Sequence, residues 1–125
     1  MGVPTIVHFD LPADDTERAR KFYEKLFEWK FEQIPGPMPY YLFETKDLEG
    51  NPGVGGGMGK RGEPGQKITN YIGVLSVKEY LENVTKLGGK VIMPRTAVPG
   101  WGYLAVCTDT ENNTFGLWEE DENAK

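Results

Sequence analysis

The sequence predicts an α+β domain of two tandem βαβββ modules, with curved mixed sheets around a concave cavity. Two observations predict it. The order strand, helix, strand, strand, strand occurs twice in the single 125-residue domain, over about residues 4–60 and 69–120. Each half also has one amphipathic helix, which can cover only one face of its sheet. The opposite faces are therefore expected to line a shared cavity.

The first strand is predicted in PTIVHFDL, residues 4–11, where side chains alternate between two faces. Val7 and Phe9 fall on the side expected to meet a helix. His8 and Asp10 fall on the other side, toward the cavity.

The first helix is predicted in DDTERARKFYEKLFEW, with Asp14 as its N-cap and Glu17 as the capping-box partner. Its apolar positions recur at helical spacing and form one stripe: Ala19, Phe22, Tyr23, Leu26 and Phe27. We expect Phe22 and Leu26 to be buried against the first sheet. WKFEQI, YYLFET and the glycine run from Val54 to Gly57 supply the three following strands.

The second half repeats this order, beginning with the strand TNYIGVL. Ser76 and Glu79 form a capping box, and Gly88 with Gly89 supplies a left-handed stop. The apolar stripe of this helix is Val77, Tyr80, Leu81, Val84 and Leu87, of which we expect Leu81 and Val84 to be buried. KVIMP, WGYLAVCT and TFGLWE are the three following strands.

Composition restricts the partners of the chain. Nineteen acidic against 14 basic residues give a net charge of −5, which disfavours a nucleic-acid partner. One cysteine, Cys107, excludes an intramolecular disulfide and is expected to be a small buried hydrophobe. No window approaches the roughly 20 apolar residues of a membrane span, and no signal peptide is visible, so we expect a cytoplasmic protein with no membrane partner.

The glycine-rich stretch does not predict a phosphate loop. Residues 57–62 match G-x-G-x-x-G, but the helix whose N-terminus would receive the phosphate is missing, because EPGQK follows. We interpret the stretch as a strand and a flexible linker between the modules.

Three segments, together with the doubled βαβββ order, carry a resemblance over nearly the whole chain: VHFDLPADDTERARKFYEKLFEWKFE, LGGKVIMP and NNTFGLWEE. The chain resembles the vicinal oxygen chelate superfamily, which includes glyoxalase I, bleomycin resistance proteins and extradiol dioxygenases. The resemblance also implies a symmetric homodimer. We expect the Pro-rich PGPMPYY segment and strand aromatics to supply its interface.

Metal-binding members of that superfamily place one His, Glu or Gln ligand on each of four strands. The resemblance assigns these positions to His8, the run from Val54 to Gly57, Tyr71 and Gly116. Only His8 is an ordinary metal ligand, whereas a divalent metal typically takes three or more protein ligands. We therefore expect no metal and no cofactor.

The candidate ligand-binding residues are His8, Asp10, Tyr41, Tyr71, Tyr103 and Trp118. His8 is the only histidine and a candidate acid or base, because its ordinary pKa lies near neutrality. Asp10 lies on the same strand face and can orient it. The aromatic side chains suit a planar or apolar small molecule, although they can equally fill the interior or a dimer interface.

Two functions follow from these observations. The first is a small-molecule-binding protein of the glyoxalase, bleomycin resistance and dioxygenase type without the metal. The alternative is a metal-dependent glyoxalase-like lyase or isomerase, or a dioxygenase.

Overall fold

The computed structural model describes residues 2–36 and 39–125. Its elements, in chain order, are β1 (Ile6–Ala13), α1 (Thr16–Phe27), β2 (Lys30–Ile34), β3 (Tyr40–Glu44), β4 (Gly55–Lys60), β5 (Thr69–Gly73), α2 (Val77–Lys86), β6 (Lys90–Val98), β7 (Gly102–Thr108) and β8 (Thr114–Glu120). The predicted α+β class and doubled element order are confirmed. Two residues of the PGPMPYY segment that was predicted to supply the dimer interface, Pro37 and Met38, lie outside the described residues.

The chain forms two compact units. The N-terminal module is His8–Ile68, and the C-terminal module is Thr69–Lys125 together with the residues up to Val7. Among the residues that the structure describes, neither helix is long and apolar enough to cross a membrane.

The N-terminal module is a mixed sheet in the order β2-β3-β4-β1, with β1 parallel to β4 and the other pairs antiparallel. One face packs against α1. Its buried core consists of Leu11, Ala13, Tyr41, Phe43 and Met58. The ring of Trp29 stacks on Phe43 at 5.0 Å and on Tyr23 of α1 at 5.2 Å between ring centroids. This aromatic stack joins the helix to the sheet.

The structure corrects the predicted burial of α1. Phe22 is 59% exposed and Leu26 is 56% exposed, whereas Ala19 and Tyr23 pack against the core. The reason is that the Trp29 ring fills the space beside Tyr23, so the helix meets the sheet along one edge of its stripe. Phe22 and Leu26, on the other edge, remain in solvent.

The predicted N-cap of α1 is also corrected. Asp15, not Asp14, caps the helix, accepting a hydrogen bond from the backbone N–H of Arg18 at 3.0 Å. Asp14 instead forms an ion pair with Arg61 at 3.0 Å. Because both aspartates suit an N-cap, only the path of the loop decides between them.

The C-terminal module has the same plan, with the order β5-β8-β7-β6 and β5 parallel to β8. Its buried core consists of Val77, Ala105, Cys107 and Leu117, with Leu81 and Val84 packed against it as predicted. Ser76 caps α2, accepting a hydrogen bond from the N–H of Glu79 at 3.2 Å. Gly88 adopts the left-handed conformation after the helix, with φ of 97°. Burial raises the pKa of the Cys107 thiol, as expected for a packed cysteine.

Candidate functional site

The N-terminal sheet has an open face, which is the face turned away from α1. The alternation along β1 puts His8 and Asp10 on this face, because Phe9 and Leu11 pack on the helix side. Nε2 of His8 lies 2.9 Å from Oδ1 of Asp10, and the Tyr40 hydroxyl donates to the same oxygen at 2.9 Å. We call these three residues the His8–Asp10–Tyr40 cluster.

Gly57 makes this cluster geometrically possible. Strand β4 lies between β1 and β3, so a side chain of β3 must cross one strand to reach Asp10. A Cβ atom at position 57 would overlap the Tyr40 hydroxyl and lie 2.7 Å from Oδ1 of Asp10. Glycine therefore provides the space through which Tyr40 reaches across the sheet.

The cluster places a carboxylate, an imidazole and a phenol together in a half-exposed setting. The side chains of His8 and Asp10 are 30% and 32% exposed. An ionised Asp10 can only accept hydrogen bonds, so it favours the His8 tautomer protonated on Nε2. This arrangement can orient the imidazole toward a polar ligand and can hold or transfer a proton there.

In the C-terminal module, aromatic rings lie over glycines on the corresponding face. Tyr71 of β5 pairs with Gly116 of β8, and a Cβ at position 116 would overlap its ring, with Cγ 2.8 Å away. Trp118 covers Gly102 in the same way, since a Cβ there would lie 2.9 Å from Cζ2 of the indole. Tyr71 and Trp118 thus lie on the face where the sequence predicted them.

The residues present do not fit the metal set of the superfamily. The run from Val54 to Gly57 offers no donor side chain, and at Gly116 the space that a ligand side chain would need is taken by the ring of Tyr71. Within the described ranges, no group of three or more His, Cys, Asp or Glu side chains is arranged to hold a metal ion.

Two predicted ligand-facing tyrosines lie on the helix side instead. Tyr41 is buried in the N-terminal core, and its hydroxyl donates to Oε1 of Glu17 on α1 at 2.7 Å. Tyr103 packs against the C-terminal core, with the Arg95 guanidinium 3.6 Å above its ring centroid. The expected orientations of both residues were wrong.

Sequence reasoning missed Tyr40, the neighbour of Tyr41. Successive residues of a strand point to opposite faces, so a choice of one tyrosine excludes the other. The signal was Phe43: as a core residue two positions after Tyr41, it places Tyr41 in the core and Tyr40 on the open face.

The Tyr41–Glu17 contact shifts the pKa values of both groups. The hydrogen bond from Tyr41, assisted by Arg20, lowers the pKa of Glu17, and the same bond raises the pKa of the Tyr41 phenol. Arg20 also donates to Oε1 of Glu24 at 3.0 Å. These contacts tie α1 to β3, behind the open face.

Replacing Tyr41 by phenylalanine should raise the pKa of Glu17 toward its ordinary value of 4.5. A lowered carboxyl pKa contributes stability above the unfolded-state pKa, and this stability is lost as pH falls through the folded-state pKa. Acidification should therefore lower the melting temperature of the wild type more than that of Tyr41→Phe. Thermal melts from neutral pH to about pH 3 test this, with Tyr80→Phe as control. Parallel pH profiles for wild type and Tyr41→Phe would contradict it.

The chain is similar in sequence to known proteins. A family model described as bleomycin resistance protein-like N-terminal matches residues 5–46. A glyoxylase-like domain-containing protein of Didymella fabae is 36% identical over 86% of this chain and 88% of its own length. CFP32 of Mycobacterium tuberculosis, a glyoxylase by name, is 30% identical over 98% of this chain. The chain spans about half the length (47%) of that relative.

Solved structures share the fold at low identity. Methylmalonyl-CoA epimerase of Streptomyces coelicolor, solved with 2-nitronate-propionyl-CoA, superposes with a TM-score of 0.73 at 10% identity, covering 99% of both chains. A hypothetical protein of Bacillus halodurans gives a TM-score of 0.71 at 15% identity, again covering 99% of both chains. At this identity the two structures establish the fold alone.

Proposed function

We propose, from the premise that the chain belongs to the vicinal oxygen chelate superfamily as a glyoxylase-like domain, that it binds a small molecule without the metal of that superfamily. The observation that carries the proposal is the state of the assigned ligand positions. The run from Val54 to Gly57 has no donor side chain, and Gly116 is covered by the ring of Tyr71, so no ligand side chain fits there.

The His8–Asp10–Tyr40 cluster supplies the polar contacts in this proposal. An imidazole held by a carboxylate offers directed hydrogen bonding, and the phenol adds a second polar group on the same face. Tyr71 and Trp118 stay predicted aromatic contacts of the C-terminal module. A planar compound with polar substituents suits such groups. The cytoplasmic location likewise stays a prediction.

Metal binding provides the first test. After incubation with Zn, Ni, Mn or Fe and desalting, we expect substoichiometric metal and an unchanged melting temperature. The physical reason is that the run from Val54 to Gly57 and Gly116 offer no donor side chain, and the ring of Tyr71 covers Gly116. Elemental analysis and thermal melts measure both quantities. Near one equivalent of tightly held metal, lost in His8→Ala, would contradict the proposal and support the alternative function.

Ligand binding provides the second measurement. A panel of catechols and other planar aromatic compounds can be screened by thermal shift, and the compounds that bind can then be titrated. Binding should weaken in Asp10→Asn and Tyr40→Phe, which break the cluster, and persist in Tyr80→Phe, a change of the same chemistry on α2. Equal affinity in all four proteins would place binding elsewhere.

The alternative is a metal-dependent lyase or isomerase, or a dioxygenase. The observation in its favour is that CFP32, which is 30% identical, carries the name of a glyoxylase. Metal-dependent turnover of a 2-oxoaldehyde–thiol adduct or a catechol would support this alternative, and its loss in His8→Ala would locate it.

We also propose that the protein is a homodimer with two-fold symmetric contacts. The edge strand β6 of the C-terminal module is nine residues long, and its Ile92 is exposed. Such an edge is usually paired or covered. Light scattering at tens of micromolar should therefore give about twice the 14.0 kDa mass of the chain. A mass of one chain, unchanged by added ligands, would contradict this.

A further inference from the structure

A groove on the helix side of the N-terminal module forms a second candidate site, separate from the open face. Its volume is about 830 Å³, within the range of small-molecule sites. It lies between the end of β1, the first turns of α1 and the linker that follows β4. The proposed function makes no use of it.

The floor and one wall of the groove are apolar. Leu11 and Ala13 of the sheet form the floor, each 6% exposed, and the exposed ring of Phe22 and the exposed side chain of Ile68 flank it. Exposed apolar side chains beside a concave surface are typical of a binding site. The groove therefore suits the hydrocarbon part of a ligand.

Arg61 forms part of the wall of the groove, and its guanidinium is already paired with other groups of the protein. Its Nε pairs with Asp14 at 3.0 Å, and its other nitrogens donate to the backbone carbonyls of Pro12 and Gln66. Its backbone N–H also donates to the carbonyl of Ala13 at 2.9 Å. These contacts hold the linker against β1 and α1 and keep the groove open.

Two other cations line the groove without an ion-pair partner in the described part of the chain. The side chains of Arg18 and Lys67 form no ion pair or hydrogen bond with the residues that the structure describes. Asp15 also lines the groove and caps α1, and the lining as a whole has three cations against two carboxylates, an excess of one positive charge. In a chain with a net charge of −5, this is a local positive site beside an apolar surface.

We propose that this groove binds a free amphipathic carboxylate, a small molecule with one anionic head and an apolar acyl or aryl body. The body lies between Phe22 and Ile68, over Leu11 and Ala13, and the carboxylate pairs with Arg18 and Lys67. A membrane surface is a poorer occupant, because anionic lipids repel a chain of this net charge.

Decanoate, decanol and acetate are the probes, titrated calorimetrically below their aggregation concentrations. Decanoate should bind about tenfold or more tightly than decanol, because only decanoate brings a charge to the cations. Acetate, which lacks the body, should not bind measurably. The double variant Arg18→Gln/Lys67→Gln should bring the affinity for decanoate down to that for decanol.

Two matched controls separate the groove from general effects. Lys21→Gln/Lys25→Gln removes two charges from α1 outside the groove and should leave decanoate binding unchanged. Phe22→Ala should weaken both decanoate and decanol, whereas Leu26→Ala, a similarly exposed position outside the groove, should affect neither. Amide NMR shifts should centre on Ala13, Ala19 and Ile68.

The proposal is overturned if decanol binds as tightly as decanoate, or if the two double variants lose equal affinity. It is also overturned if the NMR shifts centre on His8, Asp10 and Gly57, or if anionic vesicles bind while decanoate does not. Shifts centred on His8, Asp10 and Gly57 would place decanoate at the His8–Asp10–Tyr40 cluster, which contradicts the groove but not the proposed function. The other outcomes bear neither on metal binding nor on that cluster, so the two proposals can fail separately.

Discussion

Replacing Phe43 by alanine is expected to lower the free energy of unfolding by about 3–5 kcal/mol. Phe43 is 3% exposed and lies at the centre of the aromatic packing of the N-terminal module. Its ring stacks on Trp29 at 5.0 Å, and Phe31 and Phe9 lie 4.9 Å and 5.3 Å from it between centroids. Removing the ring leaves a cavity that these stacked neighbours can fill only partly. Urea denaturation measures the change.

Phe22→Ala is the matched control for that measurement, because it removes the same side chain in the same module. Phe22 is 59% exposed, so its loss should cost less than about 1 kcal/mol. Equal costs for the two variants would show that the aromatic stack is not the centre of the core. A large cost for Phe22 alone would show that its ring is covered in solution.

Gly116→Ala should destabilise the protein by about 1–3 kcal/mol, the usual cost of overpacking a core. The added methyl group would overlap the ring of Tyr71, which is 7% exposed and has little space to retreat into. Gly65→Ala is the control, since a Cβ there meets no atom within 4 Å. The result bears on the proposed function, because the resemblance assigns position 116 to a metal ligand of the superfamily.

A double-mutant cycle tests whether overlap with the Tyr71 ring causes the destabilisation in Gly116→Ala. In a Tyr71→Ala background the overlap no longer exists, so Gly116→Ala should cost much less there than in the wild type. The coupling between the two positions should exceed about 0.5 kcal/mol, the usual error of additivity between independent sites. Additive effects would show that the ring of Tyr71 does not fill the space beside Gly116.

Much of the fold could be predicted from local patterns. The S-x-x-E sequence at Ser76 and the glycines at 88 and 89 predicted both ends of α2, and the structure confirms them. The alternation along β1 correctly placed Phe9 toward the helix. Both features could be predicted because they depend on residues only a few positions apart in the chain. Local hydrogen bonds set the helix ends, and the two-residue period of a strand sets its faces.

The candidate site was predicted in part. His8 and Asp10 were placed on one face by strand alternation, and their hydrogen bond confirms that they share it. Tyr40 was not predicted, because its partner lies two strands away and is reached only through the gap at Gly57. The groove beside Arg18 and Lys67 was not predicted either, since it combines a strand end, a helix and a linker distant in sequence.

The sequence by itself determined the element order, the strand faces, the superfamily resemblance and the scarcity of metal ligands, because each depends on residue identity and short-range spacing. Only the tertiary structure decided which tyrosine meets Asp10, which aspartate caps α1, and that Phe22 and Leu26 stay exposed. These outcomes depend on strand register and on competition for space around Trp29. Strand register and the packing around Trp29 are both set by residues that are distant in the chain. The positions of those residues are defined only after the sheet has formed.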